Sequence, residues 1–162
     1  MRPPVSVVPA RLATLLLLIA VPAPETAAQA ASHLGKWTLN ANKSVYSPGP
    51  PPRAQVRTYS TEGDRFKAVI ETTQPLGMRT TAEYTARFDG KDYPLAGNAD
   101  ADTVALTRVD DLTFDATLKR RGKVVTTVRN AISRDGRIMT VTSKGTNARG
   151  QPTSSVAVFF KQ

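Results

Sequence analysis

The sequence predicts an all-β fold, namely an up-and-down antiparallel β-barrel of about 8–10 strands. Short segments in which apolar and polar residues alternate follow one another along most of the chain. Turn dipeptides such as Asp89-Gly90 and Asp135-Gly136 separate them. Apolar residues nowhere recur at helical spacing over more than about two turns. The same turn spacing allows an open sandwich, but tight sequential hairpins favour a barrel, which closes to remove its edges.

Residues 1–30 are interpreted as a cleaved secretory signal peptide. Arg2 and Arg11 supply a positively charged start, and the apolar run 12–21 follows. Ala28-Gln29-Ala30 then offers small residues at the two positions that a signal peptidase reads. Because an apolar run of about 10 residues is too short to cross a bilayer as a helix, we expect no transmembrane span. The prediction is export, to the periplasm or out of the cell.

The mature chain, residues 31–162, is predicted to be a single domain, since its length suits one domain and not two. We expect it to be a monomer. The sequence has no cysteine, so the exported domain must depend on its core rather than on disulfides. Without Arg2, Arg11 and Glu25, the 22 basic and 13 acidic side chains become 20 and 12, a formal charge of +8. That charge favours anionic surfaces such as phospholipid head groups or envelope polysaccharide. Export argues against nucleic acid as a partner.

The predicted strands follow in order from the segment 35–40, which alternates Trp37 and Leu39 with polar residues. A loose leader, 31–34, precedes it. A short helical turn and the proline-rich, extended connection 47–52 follow. The remaining predicted strands are 56–61, 66–72, 78–88, 93–95, 103–109, 112–119, 124–133, 138–143 and 153–161.

Several short motifs carry a resemblance to a known family. Gly35-Lys36-Trp37 resembles the Gly-x-Trp of lipocalins and the related fatty-acid-binding proteins, together called calycins. More closely, the chain is similar to secreted bacterial lipocalin-like proteins, most of which lack an assigned activity. The matching pieces are 35–40, 43–44, 89–94, 97–98, 133–136 and 138–141. The resemblance implies a barrel that binds a small hydrophobic or amphipathic molecule without catalysis.

The chain departs from these families at four points. It has no Thr-Asp-Tyr-like loop, no helical lid, and no Arg-x-Tyr near its end to hold a carboxylate, so the resemblance implies the barrel shape but not fatty-acid binding. Lipocalins pack an arginine of the last strand on the tryptophan. Here the nearest candidate is Lys161, whose ammonium could make only the looser cation–π contact. We predict that Gly35, Trp37 and Lys161 close the barrel.

Side chains on apolar strand faces are the candidate ligand-binding residues. Arg108 shares a face with Val104 and Leu106, and Asn130 shares one with apolar neighbours. A polar group inside an apolar lumen needs a partner, and a ligand head group would serve. The alternatives are an Arg108 that emerges into solvent and an Asn130 that bonds internally. The candidates are Phe66, Tyr84, Phe88, Arg108, Phe114 and Asn130, of which the aromatic residues line the lumen only if the barrel is hollow.

The sequence offers little for catalysis or metal binding. His33 is the only histidine and falls in the leader, which excludes ordinary zinc, haem and Ser-His-Asp sites in a chain without cysteine. The segment 98–102 resembles the start of a calcium loop but lacks the glycine at its sixth position and the glutamate at its twelfth, here Val109. Carboxylates such as Glu71 and Glu83 fit no catalytic spacing. We predict no enzyme, no metal and no cofactor.

A basic run lies at a predicted hairpin tip and consists of Lys119, Arg120, Arg121 and Lys123. It is either a solvated turn or a contact with an anionic envelope surface. No aromatic residues interleave with it, so single-stranded nucleic acid is not favoured. Two functions therefore compete. One is a ligand-binding barrel, and the other is an envelope-associated structural or interaction module whose barrel is filled by its own side chains.

Overall fold

The computed structural model describes residues 31–162, which contain eleven β-strands and one turn of 3-10 helix. The strands are β1 (Gly35–Leu39), β2 (Val45–Ser47), β3 (Ala54–Glu62), β4 (Arg65–Thr73), β5 (Arg79–Ala86), β6 (Tyr93–Ala96), β7 (Thr103–Asp110), β8 (Thr113–Arg120), β9 (Lys123–Ile132), β10 (Ile138–Thr146) and β11 (Pro152–Lys161), and the helical turn is Ala41–Lys43. The predicted signal peptide, residues 1–30, lies outside the described residues. The all-β prediction is confirmed.

From β3 onward, each strand pairs antiparallel with the next one in the chain. β11 then returns to β1, where Trp37 lies opposite Lys161, and β1 also pairs with β3. These pairings close a barrel of β1 and β3 to β11, so each barrel strand has a neighbour on both sides. β2 lies against β11 next to β1, after a helical turn at which the Oδ1 atom of Asn40 accepts a hydrogen bond from the Lys43 N–H at 3.1 Å. The predicted up-and-down barrel is confirmed, at the upper end of the predicted strand number.

The period-2 pattern of the sequence decides which side chains face the barrel interior. In β4, Phe66 and Ala68 are buried, whereas Lys67 between them is half-buried on the other face. The same alternation places Asn130 and Ile132 of β9 inside the barrel. The interior is therefore built from every second residue of each strand.

One end of the barrel, called the closed end, is filled by large side chains. Trp37, Phe66, Phe114 and Phe159 are all fully buried there. The ring centres of Phe66 and Phe114 lie 5.5 Å apart at an interplanar angle of 65°, and Phe88 meets Phe114 at 5.4 Å and 71°. Such edge-to-face contacts are favourable beyond the apolar area that they bury. Aromatic side chains therefore fill this end of the barrel.

Residues 31–34 are part of the closed end, and the prediction of a loose leader is wrong. His33 is 1% exposed, and its ring packs edge-on against Phe114 with 4.7 Å between the ring centres. The indole N–H of Trp37 donates a hydrogen bond of 2.8 Å to the backbone carbonyl of His33. A buried indole N–H needs an acceptor, and this carbonyl supplies it. The segment is ordered because it completes the burial of Trp37.

The opposite end, called the open end, is formed by the turns 74–78, 97–102, 121–122 and 147–151. In the first of these turns the N–H of Gly77 donates to the carbonyl of Gln74 at 2.9 Å. Two apolar side chains of the same turn are exposed, Leu76 to 99% and Met78 to 63%. Within residues 31–162, no helix has the length and hydrophobicity needed to cross a membrane.

Candidate ligand-binding site

The barrel interior contains a cavity of about 370 Å³ between the packed closed end and the open-end turns. This volume lies in the range of about 300–1,000 Å³ that small-molecule sites occupy. Its apolar wall includes Ile70, Ala82, Leu95, Val104, Leu118 and Val128. Met78 and the segment 97–100 reach the cavity at the open end, which we call the cavity mouth. The barrel is thus packed at one end and hollow at the other.

Arg57, Tyr84 and Asn130 are the polar lining residues nearest the closed end on their strands, and we call them the cavity floor. The guanidinium of Arg57 stacks on the ring of Phe159, with its central carbon 4.9 Å from the ring centre. Its Nη1 donates to the Tyr59 hydroxyl at 3.2 Å. The floor therefore places one positive charge at the bottom of a cavity whose wall combines apolar side chains with Thr72 and Thr80.

A further hydrogen bond of Arg57 and two bonds of its partners hold this arginine in place. The Nε of Arg57 donates to the Oε1 atom of Gln55 at 3.1 Å, and the amide nitrogen of Gln55 donates to the Thr72 hydroxyl at 2.9 Å. The hydroxyl of Tyr59 donates in turn to the Oδ1 atom of Asn130 at 3.5 Å. Because these partners belong to three neighbouring or facing strands, the barrel itself sets the orientation of the guanidinium.

The electrostatics of the floor keep Arg57 charged and Tyr84 neutral. Burial acts to lower the pKa of Arg57, but Tyr59, as neighbour and as hydrogen-bond acceptor, together with Tyr84 and Tyr46 outweighs it and leaves this pKa above its ordinary value. Burial raises the pKa of Tyr84, with Tyr59 adding to the effect and Arg57 opposing it. No ion pair of the described residues involves Arg57. The floor is therefore a fixed cation among neutral hydrogen-bonding groups.

The candidates from the sequence divide between the two ends of the barrel. Tyr84 and Asn130 line the cavity, whereas Phe66, Phe88 and Phe114 form the aromatic cluster of the closed end and are absent from the cavity lining. Arg108 also lies outside the lining. Its guanidinium carbon is 4.7 Å from the centre of the Phe88 ring, and its Nη1 donates to the Asp110 carbonyl at 3.4 Å.

Arg57 and Gln55 were not among the ligand-binding residues predicted from the sequence. Both lie on β3, where Gln55, Arg57 and Tyr59 occupy one face and Val56 and Thr58 the other. Neither face is plainly more apolar, so the pattern could not say which one the barrel would enclose. The only signal in the sequence was that Gln55, Arg57 and Tyr59 stand at alternate positions and therefore share one face of the strand.

The residues predicted to close the barrel lie at the seam between β1 and β11. The ammonium of Lys161 lies 5.1 Å from the centre of the Trp37 ring system, which is the contact expected from the sequence. Gly35 has φ = +116°, and a Cβ atom at this position would lie 3.2 Å from the Lys161 Cε. A side chain at position 35 would therefore press on the lysine that covers the indole.

The calcium-like segment 98–102 uses its oxygens within the protein. The side-chain oxygen of Asn98 accepts hydrogen bonds from two backbone N–H groups of its own loop, at 2.9 and 3.0 Å. Asp100 accepts from the Ala148 N–H at 2.8 Å, and Asp102 accepts from the Arg121 N–H at 2.9 Å. Among residues 31–162, no three His, Cys, Asp or Glu side chains lie close enough together to hold a metal ion. The oxygens of Asp100 and Asp102 thus join this loop to two other open-end turns.

The basic run lies at the open end, and its members differ in their contacts. Lys119 forms an ion pair of 2.7 Å with Asp92, and the guanidinium of Arg120 donates to the Ala99 carbonyl at 2.9 Å. Arg121 and Lys123 are exposed. An open depression of about 590 Å³ separates this turn from the turn 147–150. Half of the run is thus engaged in the protein and half faces solvent beside the cavity mouth.

Comparisons with known proteins give little beyond this geometry. No protein-family model matches the chain, and no curated protein matches it. Among solved structures, the zebrafish ileal bile acid-binding protein in complex with cholic acid is similar, with a TM-score of 0.49 and 15% sequence identity over 81% of this chain and 99% of that one. The assignment of the site therefore depends on the cavity and its side chains.

Proposed function

We propose that this protein is an exported, lipocalin-like barrel that binds a small hydrophobic or amphipathic molecule in its lumen and catalyses no reaction. The observation that carries the proposal is the cavity of about 370 Å³ with an apolar wall and a polar floor. A largely apolar cavity with a few converging polar groups is the usual form of a small-molecule site. Export is supported by the signal-peptide features of residues 1–30.

The placement of the reactive side chains supports binding rather than catalysis. His33 packs against Phe114 at the closed end and does not line the cavity. Glu71 and Glu83 are exposed on the outer face of the barrel. The cavity is lined by one acidic residue, Asp100, whose Oδ1 atom accepts a hydrogen bond from Ala148. The lining thus lacks the acid–base pair that hydrolytic or proton-transfer chemistry requires.

The experiment is retention of lipid from an extract. The purified mature protein is mixed with a lipid extract and repurified, and the retained molecules are identified by mass spectrometry. Ala82→Trp fills the cavity from its wall, and Ala96→Trp places the same side chain on an exposed position of the neighbouring β6 as the control. We expect the wild type and Ala96→Trp to retain a ligand and a folded Ala82→Trp variant to retain none. A wild type that retains nothing would contradict the proposal.

We also propose that the open end contacts an anionic envelope surface. The exposed Leu76 and Met78 surround the same mouth as the exposed Arg121 and Lys123, a combination of apolar and basic side chains that suits an anionic lipid surface. The test is sedimentation with vesicles that contain anionic lipid. Binding should fall in an Arg121→Gln, Lys123→Gln double variant and in high salt. Equal binding to neutral vesicles would contradict the proposal.

A further inference from the structure

We infer that the ligand carries an anionic head group, that Arg57 binds this group at the cavity floor, and that the apolar part of the ligand extends toward the mouth. The inference rests on the proposed function, because it names the class of molecule that the same cavity takes up. It follows from three properties of Arg57, namely its free donors, its missing counter-ion and its rigid support.

The guanidinium has more N–H donors than the described residues accept hydrogen bonds from. An arginine side chain carries five N–H donors, and the described residues accept hydrogen bonds from two of its nitrogens, Nε to Gln55 and Nη1 to Tyr59. Arg57 is not among the described side chains whose polar atoms are buried without a partner, and it lines the cavity. Its remaining donors are therefore reachable from the lumen, where a ligand can accept from them.

The charge of Arg57 has no counter-ion in the described residues. Its hydrogen-bond acceptors are an amide oxygen and a phenol. The neighbouring groups that raise its pKa are the hydroxyls of Tyr59, Tyr84 and Tyr46. Ile70 lies opposite it on β4 and contributes to the apolar wall. A cation in such surroundings is costly unless an anion or water compensates it. An anionic head group would supply the missing charge.

The support of the guanidinium prepares it for a planar or tetrahedral oxyanion. The Phe159 ring covers one face, while Gln55 and Tyr59 hold the edge through Nε and Nη1. The orientation of the free donors is thereby fixed before a ligand arrives, which reduces the entropy lost on binding. Carboxylate, phosphate and sulfate groups all suit an arginine fork. From the floor, the wall residues Ala82 and Leu118 lead toward Met78 at the mouth, so the apolar part of the ligand has one direction open to it.

The experiment is calorimetric titration of the mature protein with four probes: decanoate, decanol, decylammonium and acetate. The first three share one chain and differ in the charge of the head group, whereas acetate is the anionic head without the chain. The proteins are the wild type, Arg57→Met, Arg57→Lys and Arg129→Met. Arg129 lies on the outer face of the barrel and pairs with Asp115, so its variant removes one positive charge from outside the lumen. It is the control for net charge.

We expect the wild type to bind decanoate about 10- to 100-fold more tightly than decanol, and decylammonium least, because a hydrogen bond to a charged group is stronger than one between neutral groups. Arg57→Met should lower decanoate affinity to that of decanol and leave decanol binding as it was. Arg57→Lys should keep part of the preference, since it retains the charge but not the fork. Arg129→Met should behave as the wild type.

Four results would overturn the inference. Equal affinity for decanoate and decanol, unchanged in Arg57→Met, would mean that water alone satisfies the arginine. Acetate binding as tightly as decanoate would mean a free-anion site without a role for the chain. If lipid is retained from an extract without any preference for anionic molecules, the inference fails and the proposed function stands. If neither decyl probes nor extract lipids bind, both fail. Should Arg57→Met not fold, the ranking of probes on the wild type and on Arg57→Lys still decides.

Discussion

Trp37 and Lys161 lie opposite each other in the β1–β11 pairing, and the ammonium of Lys161 lies 5.1 Å from the centre of the indole ring system. The first and last strands of the barrel thus meet at its one tryptophan. The indole N–H turns to the other side and donates to the carbonyl of His33. One side chain therefore joins the segment before β1, the first strand and the last strand.

Trp37→Ala should destabilise the protein by about 3–5 kcal/mol, because it empties a fully buried site at the seam that closes the barrel. The measurement is equilibrium unfolding in urea followed by circular dichroism, since the variant lacks the fluorescent indole. Leu76→Ala is the control, because Leu76 is 99% exposed and its removal should change the free energy of unfolding by less than about 0.5 kcal/mol. Equal midpoints for Trp37→Ala and the wild type would refute the role of the indole.

Gly97→Ala should be more harmful than Gly122→Ala, although both glycines adopt positive φ, +69° and +76°. A Cβ atom at position 97 would overlap the carbonyl oxygen of Thr81, whereas position 122 has nothing within 4 Å. We expect Gly122→Ala to cost about 1–2 kcal/mol from backbone strain alone. Gly97→Ala should cost about 1–3 kcal/mol more, because the loop at the cavity mouth must move. Thermal unfolding of both variants measures the difference, and equal losses would show that the contact with Thr81 is relieved without cost.

Acidification should destabilise the protein through His33. Burial lowers the pKa of His33 to about 4, with the nearby backbone of Asn130 opposing this and the charge of Arg108 adding to it. As the pH falls from about 6.5 toward 4, the unfolded chain binds a proton that the folded chain does not, so stability is present at neutral pH and is lost across this window. The loss that the shift implies is about 3 kcal/mol.

The measurement for His33 compares unfolding free energies at neutral pH and near pH 4 for the wild type and His33→Leu. Carboxylates also contribute to acid sensitivity, since the Leu112 N–H lowers the pKa of Asp110. Only the difference between the two proteins therefore reports on His33. We expect His33→Leu to lose less stability on acidification. Identical losses would contradict the burial of a neutral imidazole against Phe114.

Arg129→Met should leave stability almost unchanged. Two nitrogens of Arg129 donate to the two carboxylate oxygens of Asp115, both at 2.8 Å, but the pair lies on the outer face in solvent. Exposed ion pairs contribute little, and salt screens them. Melting temperatures at low and physiological ionic strength measure the effect. A large loss of stability would mean that the outer face of β9 contributes more to the free energy of unfolding than its exposure indicates. The variant could then not serve as the control for net charge.

The strands and their turns could be read from the residues because both signals are local. A strand such as β5 shows its inner and outer faces in the alternation of Ala82 and Tyr84 with charged or hydroxyl side chains. The turn at Asp89-Gly90 is indicated by Gly90, because glycine readily adopts a positive φ. Neither signal needs a distant contact. The short β2, by contrast, exists through its pairing with β11, and the sequence did not predict it.

The sequence did not show which end of the barrel is packed and which is hollow. That depends on which side chains from different strands meet at the same level along the barrel axis. Phe66, Phe88 and Phe114 lie far apart in the chain and meet because β4, β8 and the segment after β5 bring them together. The residue type of Arg57 does not indicate whether its side chain faces solvent or a cavity. Its burial results from the closure of the barrel around β3.

Local alternation and turn residues are properties of short segments, so they could be read from the order of amino acids alone. The signal peptide assigned to residues 1–30 has the same local basis and stays a prediction. The hollow end, the arginine at its floor and the histidine beneath the indole come from contacts between strands distant in the chain. Their physical reason is shared: the free energy of a buried group depends on what surrounds it in three dimensions, and a linear pattern does not contain those neighbours.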